Sequence, residues 1–260
     1  FDRPFYKAPP LFINSHSACT KILKDQEGFK VVWGEKIQFL MENSGRPYGR
    51  DFALSGDLPA NAASRKMIGA ALHRDKWESE VKAFYEDITL KLLERNSFKV
   101  AGVNQVDIVR DVAVLAQVNF CANVFSLSLK TESNPGGVFS EQELYQILAV
   151  IFASIFYDVD VSKSLQLCQT ARNVAQQLGE LTLANVELVA KTGFISNLVN
   201  RLHRHDILSE YGIHMIQRLL DSQLPVKDVV WSHILPTAGA LVANQGQLFS
   251  QCIDYYLSEE

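Results

Sequence analysis

"WSHILPTAGALVANQGQLFSQCIDYYL", Trp231–Leu257, decides the fold. Its apolar residues keep a helical period, and "VKDVV" runs into it without a turn residue. One helix is therefore expected from near Val226 to the end of the chain. Pro236 lies inside it; proline has no N–H and crowds the preceding turn, which costs roughly 3 kcal/mol unless compensated. Gly239 and Gly246 each weaken a helix by about 1 kcal/mol relative to alanine. Distortion is expected between Pro236 and Gly246, and helices are often irregular where they pass a ligand. The same stretch carries four amides in eight residues, Asn244, Gln245, Gln247 and Gln251. Asn244, Gln247 and Gln251 stand at i, i+3 and i+7, one stripe of a helix. A buried amide without partners costs about 1–3 kcal/mol. The stripe therefore bonds to neighbouring helices or solvent, or it faces a ligand in an apolar pocket.

Outward from this helix, most of the chain also has helical period. Ser15 or Ser17 is placed to cap a helix through "ACTKILKDQ", and "WGEKIQFLMENS" is a short helical piece. "SGRPYGRDFALSGDLP" is rich in glycine and proline and reads as a loop. A helix follows from Ala60 through "NAASRKMIGAALHR". In the next, Trp77, Val81, Phe84, Tyr85, Ile88 and Leu92 recur on one face, which predicts burial. Gln105–Phe125 is apolar on most sides and reads as a helix in the middle of a bundle. Ser140 with Glu143 forms a capping-box pattern before "ELYQILAVIFASIF", and a long helix is expected over Ser162–Ala190. The fold class is mainly α, with a minor strand expected near the N-terminus.

The 260 residues suffice for one large domain, and 47% apolar against 21% charged residues is an ordinary globular balance. A net charge of −4 and the lack of a basic stripe argue against nucleic-acid binding. Cys19, Cys121, Cys168 and Cys252 are scattered singly, with no zinc-type pair and no disulfide framework. They read as small core residues in an intracellular setting, and no apolar run is long enough to span a bilayer. His203 and His205, two residues apart, do not have the spacing of a zinc protease helix and read as solvated. No metal-ligand set is predicted. The chain starts at Phe1 and stops inside a helical pattern at Glu260, as a piece of something larger would.

The order of pieces resembles the N-terminal part of a cytochrome P-450. "INSHSACTKIL" is similar to the early helix of that family, "NAASRKMIGAAL" to its helix that bears a haem-propionate arginine, and the Val226–Glu260 helix to its long haem-crossing helix. "GRPYGRDFALSGDLPANAASRK", "HRDKWESEVKAFYEDITLKLL", "NQVDIVRDVA" and "ANQGQ" resemble, more closely, the fungal linoleate diol synthases or psi-factor-producing oxygenases. The resemblance covers nearly the whole chain.

It implies a fatty-acid dioxygenase fused to a P-450 hydroperoxide isomerase, with residues 1–260 as the N-terminal part of the isomerase domain. The implied activity converts a linoleate hydroperoxide, such as 8-hydroperoxylinoleate, to a dihydroxy acid, such as the 5,8-diol, by O–O cleavage and intramolecular hydroxylation. The implied partners are the hydroperoxide, the dioxygenase domain of the same protein and a second copy of it. The implied cofactor is haem, with its thiolate ligand outside this chain: there is no E-x-x-R helix and no F-x-x-G-x-x-x-C-x-G loop.

A hydroperoxide arrives with its oxygen already reduced. It needs orientation and a hydrogen-bond partner for the departing oxygen rather than a proton relay, and neutral amides supply both. Asn244 and Gln247 are the expected catalytic pair; Gln245, rotated about 100° from Asn244, is the lesser candidate. Asn61 and Arg65 stand where the family has its propionate-binding aromatic donor and arginine, with Asn61 in place of the aromatic residue. Arg46, Arg50 or Lys66 could meet a fatty-acid carboxylate. Two further readings stay open: a catalytically silent P-450-like domain kept for packing, and a helical interaction module without cofactor.

Overall fold

The helix at the end of the chain is the axis of the fold. The computed structural model describes residues 12–25, 27–74, 76–132, 134–192 and 207–258. The elements in order are α1 (His16–Lys24), α2 (Gly34–Leu40), α3 (Pro59–Leu72), α4 (Trp77–Asn96), β1 (Phe98–Val100) and β2 (Val103–Gln105). There follow a π-helical segment, π1 (Ile108–Ala113), then α5 (Val114–Val124), α6 (Glu141–Phe156), α7 (Val161–Thr192), α8 (Ile207–Leu220), α9 (Val226–Val229), a second π segment, π2 (Val230–Ile234), and α10 (Leu235–Ser258). α9, π2 and α10 make one uninterrupted helical run. α10 packs on α5 and α6 and buries its first half, Leu235 to Gly246, while Leu248, Tyr255, Tyr256 and Leu257 are exposed.

The distortion in this run lies one turn earlier than its sequence suggests. Leu235 N–H bonds to the carbonyl of Val230, an i−5 bond, whereas Pro236–Gly246 lies in regular α-helix. Proline crowds the carbonyl of the turn before it, so the strain falls upstream, and the wider π turn relieves it. Neither glycine breaks the helix, and at Gly239 packing selects the residue. A Cβ on Gly239 would lie 2.8 Å from Cγ2 of Ile151, so α10 and α6 meet there without a side chain between them.

Most other helical expectations hold, with two corrections: the Gln105–Phe125 segment is helical only from Ile108, Gln105 belonging to β2, and of the face from Trp77 to Leu92 only Leu92 is fully buried, the rest half-buried. Ser15 caps α1 by accepting from the N–H of Ala18 at 3.2 Å, and Ser140 and Glu143 form the capping box of α6. α5 is the buried central helix, with Ala116–Ala122 all at the core. Trp77, Val81, Phe84 and Tyr85 pack on the main core, and Ile88 and Leu92 on a smaller cluster with Val112 and Ala116. Residues 12–15 form no strand; the one sheet among the described residues is the exposed hairpin β1–β2, which closes with Val100 opposite Val103. Ala101 and Gly102 turn it with φ of 49° and 85°. Its strands of three residues are too short to show a period of two. Cys121 and Cys168 are buried as expected, but Cys19 is half-buried and Cys252 exposed on the outer part of α10, which corrects their reading as core residues. His203 and His205 lie outside the described residues. No helix among the described residues is long and apolar enough to cross a membrane.

Candidate functional site

A cavity of about 370 Å³ lies between α10, α3 and the loop before α3. From α10 come Thr237, Ala240, Leu241, Asn244 and Gln245. These stand at i, i+3, i+4, i+7 and i+8, one face of a helix. From α3 come Arg65, Ile68, Gly69 and Leu72, with His73 at its end, and the loop adds Phe52, Ala53 and Leu54. The wall is apolar with a few convergent polar groups, the usual make-up of a small-molecule site.

Asn61 shapes this wall from behind. Its Oδ1 accepts the N–H of Leu58 at 3.0 Å, and its amide donates to the carbonyls of Arg50 at 2.9 Å and Phe52 at 2.8 Å. Both amide protons are thereby engaged, and the residue is 1% exposed. This corrects the expected role: Asn61 has no proton left for a propionate, and it anchors the loop to the first turn of α3. Arg65 does face the cavity. Its guanidinium donates to the Ala53 carbonyl, and it has no carboxylate partner among the described residues.

The expected amide pair is also revised. Asn244 lines the cavity; it donates one N–H to the Ala240 carbonyl at 2.9 Å, which leaves its other N–H and its carbonyl. Gln247 is exposed, outside the lining, and accepts from the Tyr157 hydroxyl at 3.4 Å. Gln251 is exposed too. The second cavity amide is Gln245. Two stripes of α10 share Asn244, and the one containing Gln247 and Gln251 turns away. The signal that selects the other is Thr237, a polar residue in the buried half of the helix and one face with Ala240, Leu241, Asn244 and Gln245.

Arg46 pairs with Asp228 at 2.9 Å and stacks on Tyr48; Arg50 and Lys66 are exposed, and none of the three lines the cavity. No group of three or more His, Cys, Asp or Glu able to hold a metal occurs among the described residues.

Beneath the cavity, Nδ1 of His233 lies 3.1 Å from the Ser64 hydroxyl, and both residues are buried. This contact joins π2 to α3 at the position next to Arg65. Burial lowers the His233 pKa, and the charges of Asp51 and Asp228 oppose this in part. Because the folded value lies below the unfolded one, the unfolded chain takes up a proton first as the pH falls. Stability should be full above the unfolded histidine value of about 6.5 and should decline as the pH drops through it toward the lower folded value. Thermal unfolding at pH 7.5 and 5.5 should show this decline, and His233→Gln should flatten it; an equal decline in both proteins counts against His233 as its source.

The class is that of a mainly α domain, in which a buried helix passes an apolar cavity with amides on one wall and a cation on another. Sequence comparison narrows the class. Over 260 residues the chain is 72% identical to psi-producing oxygenase A of Aspergillus fumigatus, covering all of this chain and 24% of that protein. It is 46% identical over 259 residues to a bifunctional dioxygenase–epoxy alcohol synthase of Fusarium oxysporum, covering 99% of this chain and 20% of that protein. It is 36% identical over 305 residues to a 7,8-linoleate diol synthase of Pyricularia oryzae, covering 99% of this chain and 26% of that protein. No family model and no solved structure matches the chain. The chain belongs with the psi-producing oxygenases and linoleate diol synthases, and it spans about a quarter of the length of these relatives.

Proposed function

We propose that this chain forms the N-terminal part of a cytochrome P-450-like isomerase domain, which converts a fatty-acid hydroperoxide to a diol within a bifunctional fatty-acid oxygenase. The observation that carries this reading is the meeting of Asn244 and Gln245 from α10 with Arg65 from α3 on one apolar cavity. The names of the relatives, dioxygenase, epoxy alcohol synthase and diol synthase, supply the substrate class. A dioxygenase domain in the same full-length protein would provide the hydroperoxide.

The donor set fits the edge of a haem in part. Arg65, without a carboxylate partner among the described residues, suits a propionate, and the face of α10 suits the substrate side. No cysteine lines the cavity, so the thiolate ligand is assigned to another part of the full-length protein. The haem, when bound, supplies the redox chemistry for O–O cleavage. The residues of this chain do the rest. Ile68, Leu72 and Leu241 take up the apolar chain and exclude water. The free N–H and carbonyl of Asn244, with the amide of Gln245, hold the peroxide oxygens, and being neutral they do so without moving a proton.

Arg65→Ala in the full-length protein tests the haem placement. An exposed ion pair contributes about 1 kcal/mol at most, so haem affinity should fall by roughly fivefold. Titration of haem into the haem-free protein, followed by Soret absorbance per mole, measures it. An unchanged affinity removes Arg65 from the propionate site.

A further inference from the structure

The cavity is lined by basic groups of one sign only. Arg65 and His73 are its ionisable residues, and among the described residues no aspartate or glutamate lines it. This holds although the chain has 29 acidic residues against 25 lysines and arginines. A cleft lined by one sign of charge favours a ligand of the other. Arg65 stands on α3 and His73 is the residue that ends it, eight positions further on and roughly 12 Å along the helix axis. The wall between them is open at Gly69, where an added Cβ would meet nothing beyond the helix itself within 4 Å.

His73 is not used to close the end of α3. The carbonyls there have other donors: the Tyr211 hydroxyl lies against those of Leu72 and Arg74, and Arg218 donates to that of Ala71 at 2.9 Å. The backbone of His73 has already left the helix, with φ of −91° and ψ of 70°. Its ring rests beside Trp77, with 5.7 Å between centroids, and is otherwise exposed. The imidazole makes no hydrogen bond or ion pair among the described residues. An imidazole N–H can donate to a carboxylate whether the ring is charged or neutral.

A fatty-acid hydroperoxide carries an anion at one end and a peroxide along the chain. The amides of α10 are neutral and suit the peroxide, which leaves the anion to be met elsewhere. Arg46, Arg50 and Lys66 are off the cavity, and Arg65 is the group suited to a propionate. We propose that His73 anchors the carboxylate of the fatty-acid substrate, at the end of the α3 wall away from Arg65, with the chain laid past Gly69. The proposal rests on the reading of the cavity given above and adds the residue that holds the acid end.

The test uses the full-length protein fed a fatty-acid hydroperoxide or its methyl ester, so that dioxygenation is bypassed. The ester keeps the chain and the peroxide and removes only the anion. In His73→Gln, KM for the acid should rise by roughly fivefold, the scale of one solvent-exposed ion pair, while KM for the ester and kcat for both substrates stay at parent values. His73→Arg should restore the parent KM for the acid, and His73→Glu should raise it beyond His73→Gln. Equilibrium dialysis of a labelled hydroxy fatty acid and its methyl ester, with the holoprotein held free of oxygen, gives the same comparison without turnover. Fatty-acid binding elsewhere in the protein is common to parent and variants and cancels in the difference.

An equal rise for acid and ester would mean that His73 acts by packing on Trp77, and would overturn the proposal. So would an unchanged KM for the acid in His73→Gln, or a failure of His73→Arg to restore it. Asn244→Leu tests the cavity separately. If it slows isomerisation while the His73 variants leave the acid-to-ester ratio unmoved, the anchor fails alone. If Asn244→Leu and all the His73 variants are silent, the reading of the cavity fails with it.

Discussion

Under the proposed isomerase function, replacement of Asn244 by leucine is expected to slow isomerisation by on the order of 10²–10³, the usual cost of removing one donor from a preorganised oxygen site. In the full-length protein fed linoleate, the hydroperoxide should accumulate at the expense of the diol while total oxygenation is unchanged. Leucine roughly conserves volume, and the position is exposed to the cavity rather than packed in the core, so the fold should tolerate it. The bond from Asn244 to the Ala240 carbonyl is lost too, but that carbonyl already belongs to the helix. Gln247→Leu is the informative companion. Its side chain is exposed, outside the cavity lining and within reach of Tyr157, so its effect should be the smaller. The hydroperoxide-to-diol ratio decides. If Asn244→Leu leaves it unmoved, the amides of α10 are structural. If Gln247→Leu moves it as far, the working face extends along the outer stripe. A parallel fall in dioxygenation would show damage to the whole protein.

The contrast between those two residues shows what the sequence could carry. Periodicity located α10 and its burial because a helix that packs on α5 and α6 must present apolar residues at helical spacing. It also located the cavity region, since Asn244 belongs to both candidate faces. It could not choose between the faces. A step from one face to the next is a rotation of about 100°, and only the position of α3 settles which one meets the cavity. Asn61 failed for a related reason. The sequence shows an amide at a given offset from Arg65 but not that the loop carbonyls of Arg50 and Phe52 return to engage it. The π turn at Val230–Ile234 was legible in principle, because a proline strains the turn that precedes it. The hairpin β1–β2 and the bond from the Tyr85 hydroxyl to Gln117 were not, the first being too short for a period and the second joining two helices far apart in sequence.

The π turn also carries a close packing contact against α7. Trp231, fully buried, projects from π2 onto α7 at Gly179. A Cβ on Gly179 would lie 2.2 Å from Cη2 of the indole, 2.5 Å from Cζ3 and 2.7 Å from Cζ2, distances no relaxed structure permits. Gly179→Ala must therefore displace a fully buried ring, and overpacking of this kind typically costs about 1–3 kcal/mol and sometimes more. The alanine recovers at most about 1 kcal/mol in helix propensity, so the net effect is destabilising. For a domain of this size each kcal/mol lowers the melting temperature by roughly 2–4 °C. Trp231→Phe removes the outer ring atoms that alanine would strike, and it also removes an indole N–H that has no hydrogen-bond partner among the described residues. A buried donor of that kind costs about 1–3 kcal/mol, so the phenylalanine variant should lose less than its reduced volume suggests. The two substitutions should then compensate: the double variant should melt above Gly179→Ala alone, with a clear departure from additivity. Circular dichroism melts of the four proteins measure this. Additive losses, or a neutral Gly179→Ala, would mean that α7 and π2 part easily. In that case Trp231 does not hold the start of α10, and the placement of Asn244 against the cavity must come from the contacts of α10 with its other neighbours, α5, α6 and π1.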